Sequence, residues 1–165
     1  MKDGETRGGN ILAKNQEASA FCLPDQDGET FCLENLRGKW IILYFYPRDN
    51  SKSCTLEAIN FTENLKSLEE MGAVVVGVSP DSVKSHHNFA QKHDLNFTLL
   101  SDPEHEVLEK FGVWQLKKMY GKEYMGVERS TFIINPDGYI VYEWRKVRVK
   151  GHVEEVKQTL SELQE

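Results

Sequence analysis

The stretch Trp40-Ile41-Ile42-Leu43-Tyr44-Phe45-Tyr46, continued by Pro47-Arg48-Asp49-Asn50-Ser51-Lys52-Ser53-Cys54, decides the fold. Its first half is an unbroken apolar run rich in β-formers, the pattern of a central strand buried on both faces. Its second half is a polar loop. From Cys54 onward, apolar or small residues recur at Ala58, Phe61, Leu65 and Leu68, a four-three-four-three spacing that forms one face of an amphipathic helix. Cys54 heads that stripe, so a thiol stands where a strand hands over to a helix, with its sulfur turned toward the sheet. The partial positive charge of a helix N-terminus favours thiolate over thiol, and only the thiolate is a good nucleophile. The position points to redox or acyl chemistry.

Working outward, Gly72 reads as the stop of that helix. Ala73 to Ser79 is a second buried strand. Pro80-Asp81-Ser82 opens a helix reaching about His93, Asn96 to Leu100 is a third strand, and Pro103 to Phe111 is a short helix. Gly112 to Val127, with Gly112, Gly121 and Gly126, is read as an irregular surface excursion flanking a site. Arg129 to Ile134 and Tyr139 to Arg145 are strands joined by the hairpin signal Asn135-Pro136-Asp137-Gly138. Val153 to Leu163 is a closing helix. Upstream, Phe21 to Pro24 and Thr30 to Leu33 are two short extended pieces around a Gly28 turn. Residues 1–15 are expected to be a flexible tail, and residues 16–165 a single domain. Alternating strands and helices imply a parallel core, and the late hairpin adds antiparallel strands. This is the element order of a thioredoxin-like α/β domain with a central mixed sheet and an N-terminal β-hairpin extension.

A chain of 165 residues, 39% hydrophobic and 28% charged, suits one soluble globular core. Its formal net charge of −6 and the lack of a basic stripe argue against nucleic acid as a partner. Met1 to Asn15 has no apolar h-region, so no signal peptide is expected, and no stretch is long enough for a membrane span. Three cysteines, an odd number without short-range pairing, fit a reducing, cytoplasmic setting better than a disulfide scaffold.

If Cys54 is a nucleophile, its surroundings make chemical sense together. Pro47 walls one side of the sulfur and has no N–H to compete for it. Ser51 lies three residues before Cys54, within reach of the sulfur or of a small polar substrate. The backbone N–H groups of Ser53 and Cys54 can bind an oxyanion. Arg129, opening a strand after the glycine-rich excursion, is the candidate cation for holding the thiolate, and Glu57, one turn beyond Cys54, could orient it through a bidentate pair.

The pattern Pro47-x-x-x-Ser51-x-x-Cys54 resembles the peroxiredoxin active-site motif, P-x-x-x-T/S-x-x-C. Tyr44-Phe45-Tyr46-Pro47, Cys54-Thr55-Leu56-Glu57-Ala58, Leu23-Pro24-Asp25-Gln26-Asp27-Gly28, Leu36-Arg37-Gly38-Lys39 and Arg129-Ser130-Thr131-Phe132-Ile133-Ile134 are similar to the bacterioferritin comigratory protein, or Q-type, branch. The resemblance runs from about residue 17 to the end. It implies a thiol-dependent peroxidase without cofactor or metal. Cys54 would attack the O–O bond of hydrogen peroxide or an alkyl hydroperoxide and become a sulfenic acid, with Arg129, Ser51 and the Cys54 N–H on the peroxide oxygens. Many members of the branch carry a resolving cysteine five residues after the peroxidatic one, or on the next helix. The matching positions here are Ile59 and Ala90. The sulfenic acid must then meet an external thiol (thioredoxin, glutaredoxin or a low-molecular-weight thiol), Cys22 or Cys32, or a second subunit, and an external thiol is the expected reductant. The resemblance further implies a monomer or weak homodimer.

Blander readings stand beside these. Cys22 and Cys32 are candidate resolving thiols, but each sits in an apolar strand where packing explains it, and a mutual disulfide is geometrically open. His86 and His93 share a helix face about 10 Å apart along the axis, too far for one ion, so His86, His87 and His93 are read as a solvated face. The basic run Arg145 to Lys150 is read as a solvated strand edge. Two other classes compete with peroxide reduction: a redox relay or sensor that passes oxidation from Cys54 to a partner protein, and a non-catalytic binding module.

Overall fold

The structure, a computed structural model, describes residues 9–165, without the side chains of residues 10–15. Its frame is a six-stranded sheet. The strands are β1 (Asn10–Glu17), β4 (Trp40–Phe45), β5 (Ala73–Ser79), β6 (Thr98–Ser101), β9 (Ser130–Ile134) and β10 (Tyr139–Trp144), arranged β1-β10-β9-β4-β5-β6. The continuous apolar runs take the middle of the sheet, where both faces are covered. In β4, Ile42, Leu43 and Phe45 are fully buried, as are Val76 and Val78 in β5. Each such side chain contributes about 1.5–3 kcal/mol by leaving water. β4, β5 and β6 run parallel, while β9 pairs antiparallel with β4, and β10 with β9. β1 closes the edge against β10. The strand thus begins at Asn10, inside the segment expected to be tail, whereas residues 1–8 lie outside the described residues.

Four helices and two hairpins cover the sheet. One face packs on α1 (Lys52–Glu70), α2 (Val83–His93) and α4 (His152–Leu163), through Phe61, Leu68, Phe89, Val156 and Leu160. The other face packs on the pair β2 (Cys22–Pro24) and β3 (Thr30–Cys32), the 3₁₀ turn Leu33–Leu36 and α3 (Glu106–Lys110), through Phe21, Leu33, Leu108 and Phe111. Gly72, at φ +81°, follows α1 as the left-handed stop its position suggests. Ser82 caps α2, its hydroxyl accepting from the Ser85 N–H at 3.1 Å. Asn135 Oδ1 accepts from the N–H groups of Asp137 and Tyr139, forming the expected hairpin turn.

Two expectations need correction. Residues 112–127 are largely regular: β7 (Trp114–Met119) and β8 (Lys122–Val127) form an antiparallel hairpin in register from Trp114↔Val127 to Met119↔Lys122. The turn uses Tyr120 at φ +53° and Gly121 at φ +78°, the conformation that best joins two twisted strands. Its flanks are largely exposed, so they lack the alternating burial that marks a strand in sequence. Second, the cysteines do have short-range pairing. The β2–β3 register sets Cys22 directly opposite Cys32, and the two form a disulfide. The neighbouring residues Phe21 and Leu33 share a ladder hydrogen bond, Leu33 N–H to Phe21 O at 3.0 Å. This makes Cys22–Cys32 the closer, non-hydrogen-bonded kind of cross-strand pair, the arrangement that two sulfurs can bridge.

Candidate active site

Cys54 lies in the first turn of α1 and is 1% exposed. The apolar stripe that docks α1 on the sheet buries it alongside Ala58, Phe61 and Tyr44. Ser51 is the N-cap of this helix. Its hydroxyl accepts from the Cys54 N–H at 3.3 Å, so that N–H is already engaged rather than open to an oxyanion. Asn50, at φ +67°, takes the left-handed conformation that asparagine tolerates, turning the chain from the end of β4 into α1. Pro47 and Ser51 both line a cleft that Arg129 also lines.

Arg129, just before β9, crosses to α1 and divides its guanidinium between two partners. Nη2 donates to Cys54 Sγ at 3.3 Å and Nη1 donates to Glu57 Oε1 at 2.6 Å. The expected bidentate pair is therefore absent: Glu57 receives one nitrogen and Cys54 the other. Glu57 is wholly buried, and its Oε2 has no hydrogen-bond partner among the described residues. Burial pushes its carboxyl up to about 7, against the opposing pull of Arg129. Arg129 is itself raised. Burial acts to lower it, and the negative charges of Glu57 and Cys54 outweigh that. Tyr44 Oη is likewise buried without a partner, and burial first, then Glu57 and Cys54, raises its pKa well above the usual value.

Behind the loop lies a polar knot that the sequence reading missed. Asp49 is buried and accepts from three side chains: Tyr46 Oη at 2.6 Å, Ser85 Oγ at 2.8 Å and His86 Nδ1 at 2.7 Å. Its N–H donates to Asp81 Oδ2 at 2.7 Å. His86 Nε2 lies 2.9 Å from the Leu100 carbonyl oxygen, so both ring nitrogens face acceptors. His86 is 0% exposed, which corrects its placement on a solvated face, while His87 does sit at the surface near Asp27. The available signal was the strict i, i+3 pair His86–Phe89, which places His86 on the buried side of α2. Asp49, Asp81 and His86 bring their ligand atoms within 4.8 Å of one another, but hydrogen bonds already use those atoms.

Cys22 is exposed and Cys32 half-buried, and neither comes near Cys54 in the core. Their neighbours Phe21 and Leu33 pack on one face of the sheet, and Cys54 packs on the other. The structure brings Cys54, Arg129, Glu57, Ser51 and Pro47 together and leaves Cys22 and Cys32 apart.

A thioredoxin-like sheet with a buried thiol at a helix N-terminus, gripped by an arginine, defines a class of cysteine-based redox enzyme. Residues 15–143 match the AhpC/TSA family. The chain is 51% identical to peroxiredoxin Bcp of Bacillus subtilis over 150 residues, covering 91% of this chain and 96% of that one. It is 39% identical to Escherichia coli peroxiredoxin Bcp, covering 93% and 98%. Among solved structures, a Xanthomonas campestris bacterioferritin comigratory protein described for its alkyl peroxide reduction activity superposes with TM-score 0.84. It shares 39% identity over 88% of this chain and 92% of that one. A mutant of Xylella fastidiosa PrxQ gives 0.85 at 37% identity, over 98% and 100%. The chain belongs to the AhpC/TSA family and is a thiol-dependent peroxidase, a peroxiredoxin of the bacterioferritin comigratory kind.

Proposed function

We propose that Cys54 is the peroxidatic nucleophile of a one-cysteine cycle. Its thiolate attacks the O–O bond of hydrogen peroxide or an alkyl hydroperoxide. The S–O bond forms as the O–O bond breaks, and the departing hydroxide or alkoxide takes up a proton to leave as water or alcohol. Cys54 becomes a sulfenic acid. Arg129 holds the thiolate and faces the charge that develops on the leaving oxygen, Glu57 positions Arg129, Ser51 fixes the first turn of α1, and Pro47 walls the cleft. The observation that carries this reading is the forked guanidinium, 3.3 Å from Cys54 Sγ and 2.6 Å from Glu57 Oε1. The alkyl peroxide reduction ascribed to the Xanthomonas campestris relative supports the wider substrate range.

An external thiol completes the cycle. The position of the Cys22–Cys32 hairpin across the sheet from Cys54 supports this over an internal partner, although a bonded cysteine pair is also what a two-cysteine cycle would hold. The cycle consumes thiols, which supports a cytoplasmic setting, while the Cys22–Cys32 bond withdraws the support that unpaired cysteines lent it. Among the described residues no helix is long and apolar enough to cross a membrane. A monomer or weak homodimer, acting without nucleic acid, metal or cofactor, completes the proposal. The test is intact mass after a brief pulse of one equivalent of hydrogen peroxide. Gain of one oxygen by the parent and none by Cys54→Ser is expected. Loss of two hydrogens in fully reduced protein, without dimer, would transfer resolution to Cys22 or Cys32. No change in the parent would overturn the assignment of Cys54.

A further inference from the structure

The cleft lined by Arg129 and Ser51, the two side chains bonded to Cys54, carries a charge pattern that peroxide chemistry alone does not require. It has a volume of about 670 Å³ and lies between the loop 47–53 and the β7–β8 hairpin. That is the size of a small-molecule site and far larger than a hydroperoxide group needs. Arg48, Lys52, Lys117 and Arg129 all line it, and no carboxylate does, although the chain as a whole has a net charge of −6. Trp114, Met119, Tyr124 and Met125 supply apolar wall.

Lys117 is the most informative of the four cations. Its neighbours Leu116 and Lys118 are exposed, but Lys117 is half-buried. Its stem crosses β8 at Gly126, where an added Cβ would come within 3.3 Å of Lys117 Cδ. A glycine there leaves the lysine room to turn toward the cleft. Lys118 is neutralised by Glu123 at 3.4 Å, but Lys117 forms no ion pair among the described residues. It also lines the adjoining cavity, beside Arg129, Lys146 and one carboxylate, Glu128. Burial first, then Arg129, lower its pKa, while Cys54 and Glu128 act the other way, which places it within the electrostatic field of the nucleophile.

We propose that this cleft binds an anionic low-molecular-weight thiol, one carrying one or more carboxylates, with Lys117 as the principal recognition group. This rests on the proposed sulfenic acid cycle and names its reductant. Cys54 is 1% exposed and lies behind two residues that line the cleft, bonded through its N–H to Ser51 and through its sulfur to Arg129, a setting that admits a slender thiol more readily than a cysteine fixed on a protein surface. The bound thiolate attacks Cys54 Sγ. A sulfur–sulfur bond forms, the S–O bond of the sulfenic acid breaks, and the hydroxide released takes up the proton that the thiol gave up on ionising and leaves as water. A second molecule of the thiol then attacks the mixed disulfide, returning Cys54 as a thiol and releasing the small disulfide. The small thiol is oxidised and Cys54 reduced. The four cations attract both the carboxylates and the attacking thiolate.

The experiment uses the full chain, oxidised with one equivalent of hydrogen peroxide, and follows decay of the sulfenic acid with mercaptosuccinate (anionic) and with cysteamine (cationic). The parent should favour mercaptosuccinate. Lys117→Glu should shrink the ratio of the two rates by about tenfold, as reversing one partly exposed charge contact would, with Lys117→Gln between, and high salt should erase the difference. An unchanged ratio in Lys117→Glu, or reduction by a thioredoxin-type protein dithiol with no response to mercaptosuccinate, would overturn the proposal. So would a charge preference confined to the oxidative half with a carboxylate-bearing hydroperoxide, since the cleft would then serve the peroxide. Failure to form the sulfenic acid at all would instead strike the Cys54 assignment.

Discussion

Two buried carboxylates flank the active-site loop, and they are treated in opposite ways. Asp49 accepts from Tyr46, Ser85 and His86, so its oxygens are fully used by groups that hold the loop in place. Glu57, equally buried, receives one nitrogen of Arg129 and keeps Oε2 without a partner. A saturated buried carboxylate fixes geometry. An undersupplied one is costly to the fold and is retained where charge must respond to chemistry. The contrast separates the scaffold of this site from its reactive part within nine residues of chain.

The contrast can be broken most severely at Asp49. Asp49→Ala strips three donors of their acceptor and should cost about 3–5 kcal/mol of stability, read by urea unfolding. A variant as stable as the parent would show that the knot is ornamental. Arg129→Ala should act on rate instead. Oxidation of Cys54 by hydrogen peroxide should fall by about 100-fold, as expected for losing a donor to developing charge, measured by stopped-flow fluorescence. A rate within a factor of about two would end the role given to Arg129.

Glu57→Gln sharpens the comparison through pH. The folded chain holds Glu57's proton up to about 7, above the ordinary value of 4.5. That proton's stabilising contribution is complete at low pH and is lost as pH rises through about 7. The variant lacks this loss, so its stability should improve relative to the parent between about pH 5 and pH 8. Parallel stability curves would mean that burial does not raise Glu57. The smallest effect belongs to Ser51→Ala, which removes the cap of α1 and should cost about 1 kcal/mol in urea unfolding.

Much of this could be read in the sequence, for reasons that differ by residue. Trp40 to Tyr46 and Ala73 to Ser79 declare themselves because strands buried on both faces must be apolar throughout. The stripe from Cys54 to Leu68 is legible because α1 docks with one face, and charge logic singles out Arg129 and Glu57, which the structure joins through one nitrogen rather than as a bidentate pair. What escaped was set by tertiary structure. β1 pairs with one neighbour at the sheet edge, and an edge strand needs no alternating pattern. His86 is polar in type but core in position, because Asp49 and the Leu100 carbonyl, distant in sequence, satisfy its ring. The Cys22–Cys32 bond depends on hairpin register, which spacing alone leaves open. Lys117 belongs to a hairpin whose turn, Tyr120-Gly121, lacks the usual Asn-Gly signature.

The hairpin bond also changes how the molecule answers a thiol reagent. With Cys22 and Cys32 joined, the native chain holds one unpaired cysteine, and that one is 1% exposed. A bulky alkylating agent should leave the native protein unlabelled, mark one cysteine after unfolding without reductant, and mark three only after reduction. Label stoichiometry thus reads the hairpin and the active site as independent channels, so a single preparation contains its own control for either.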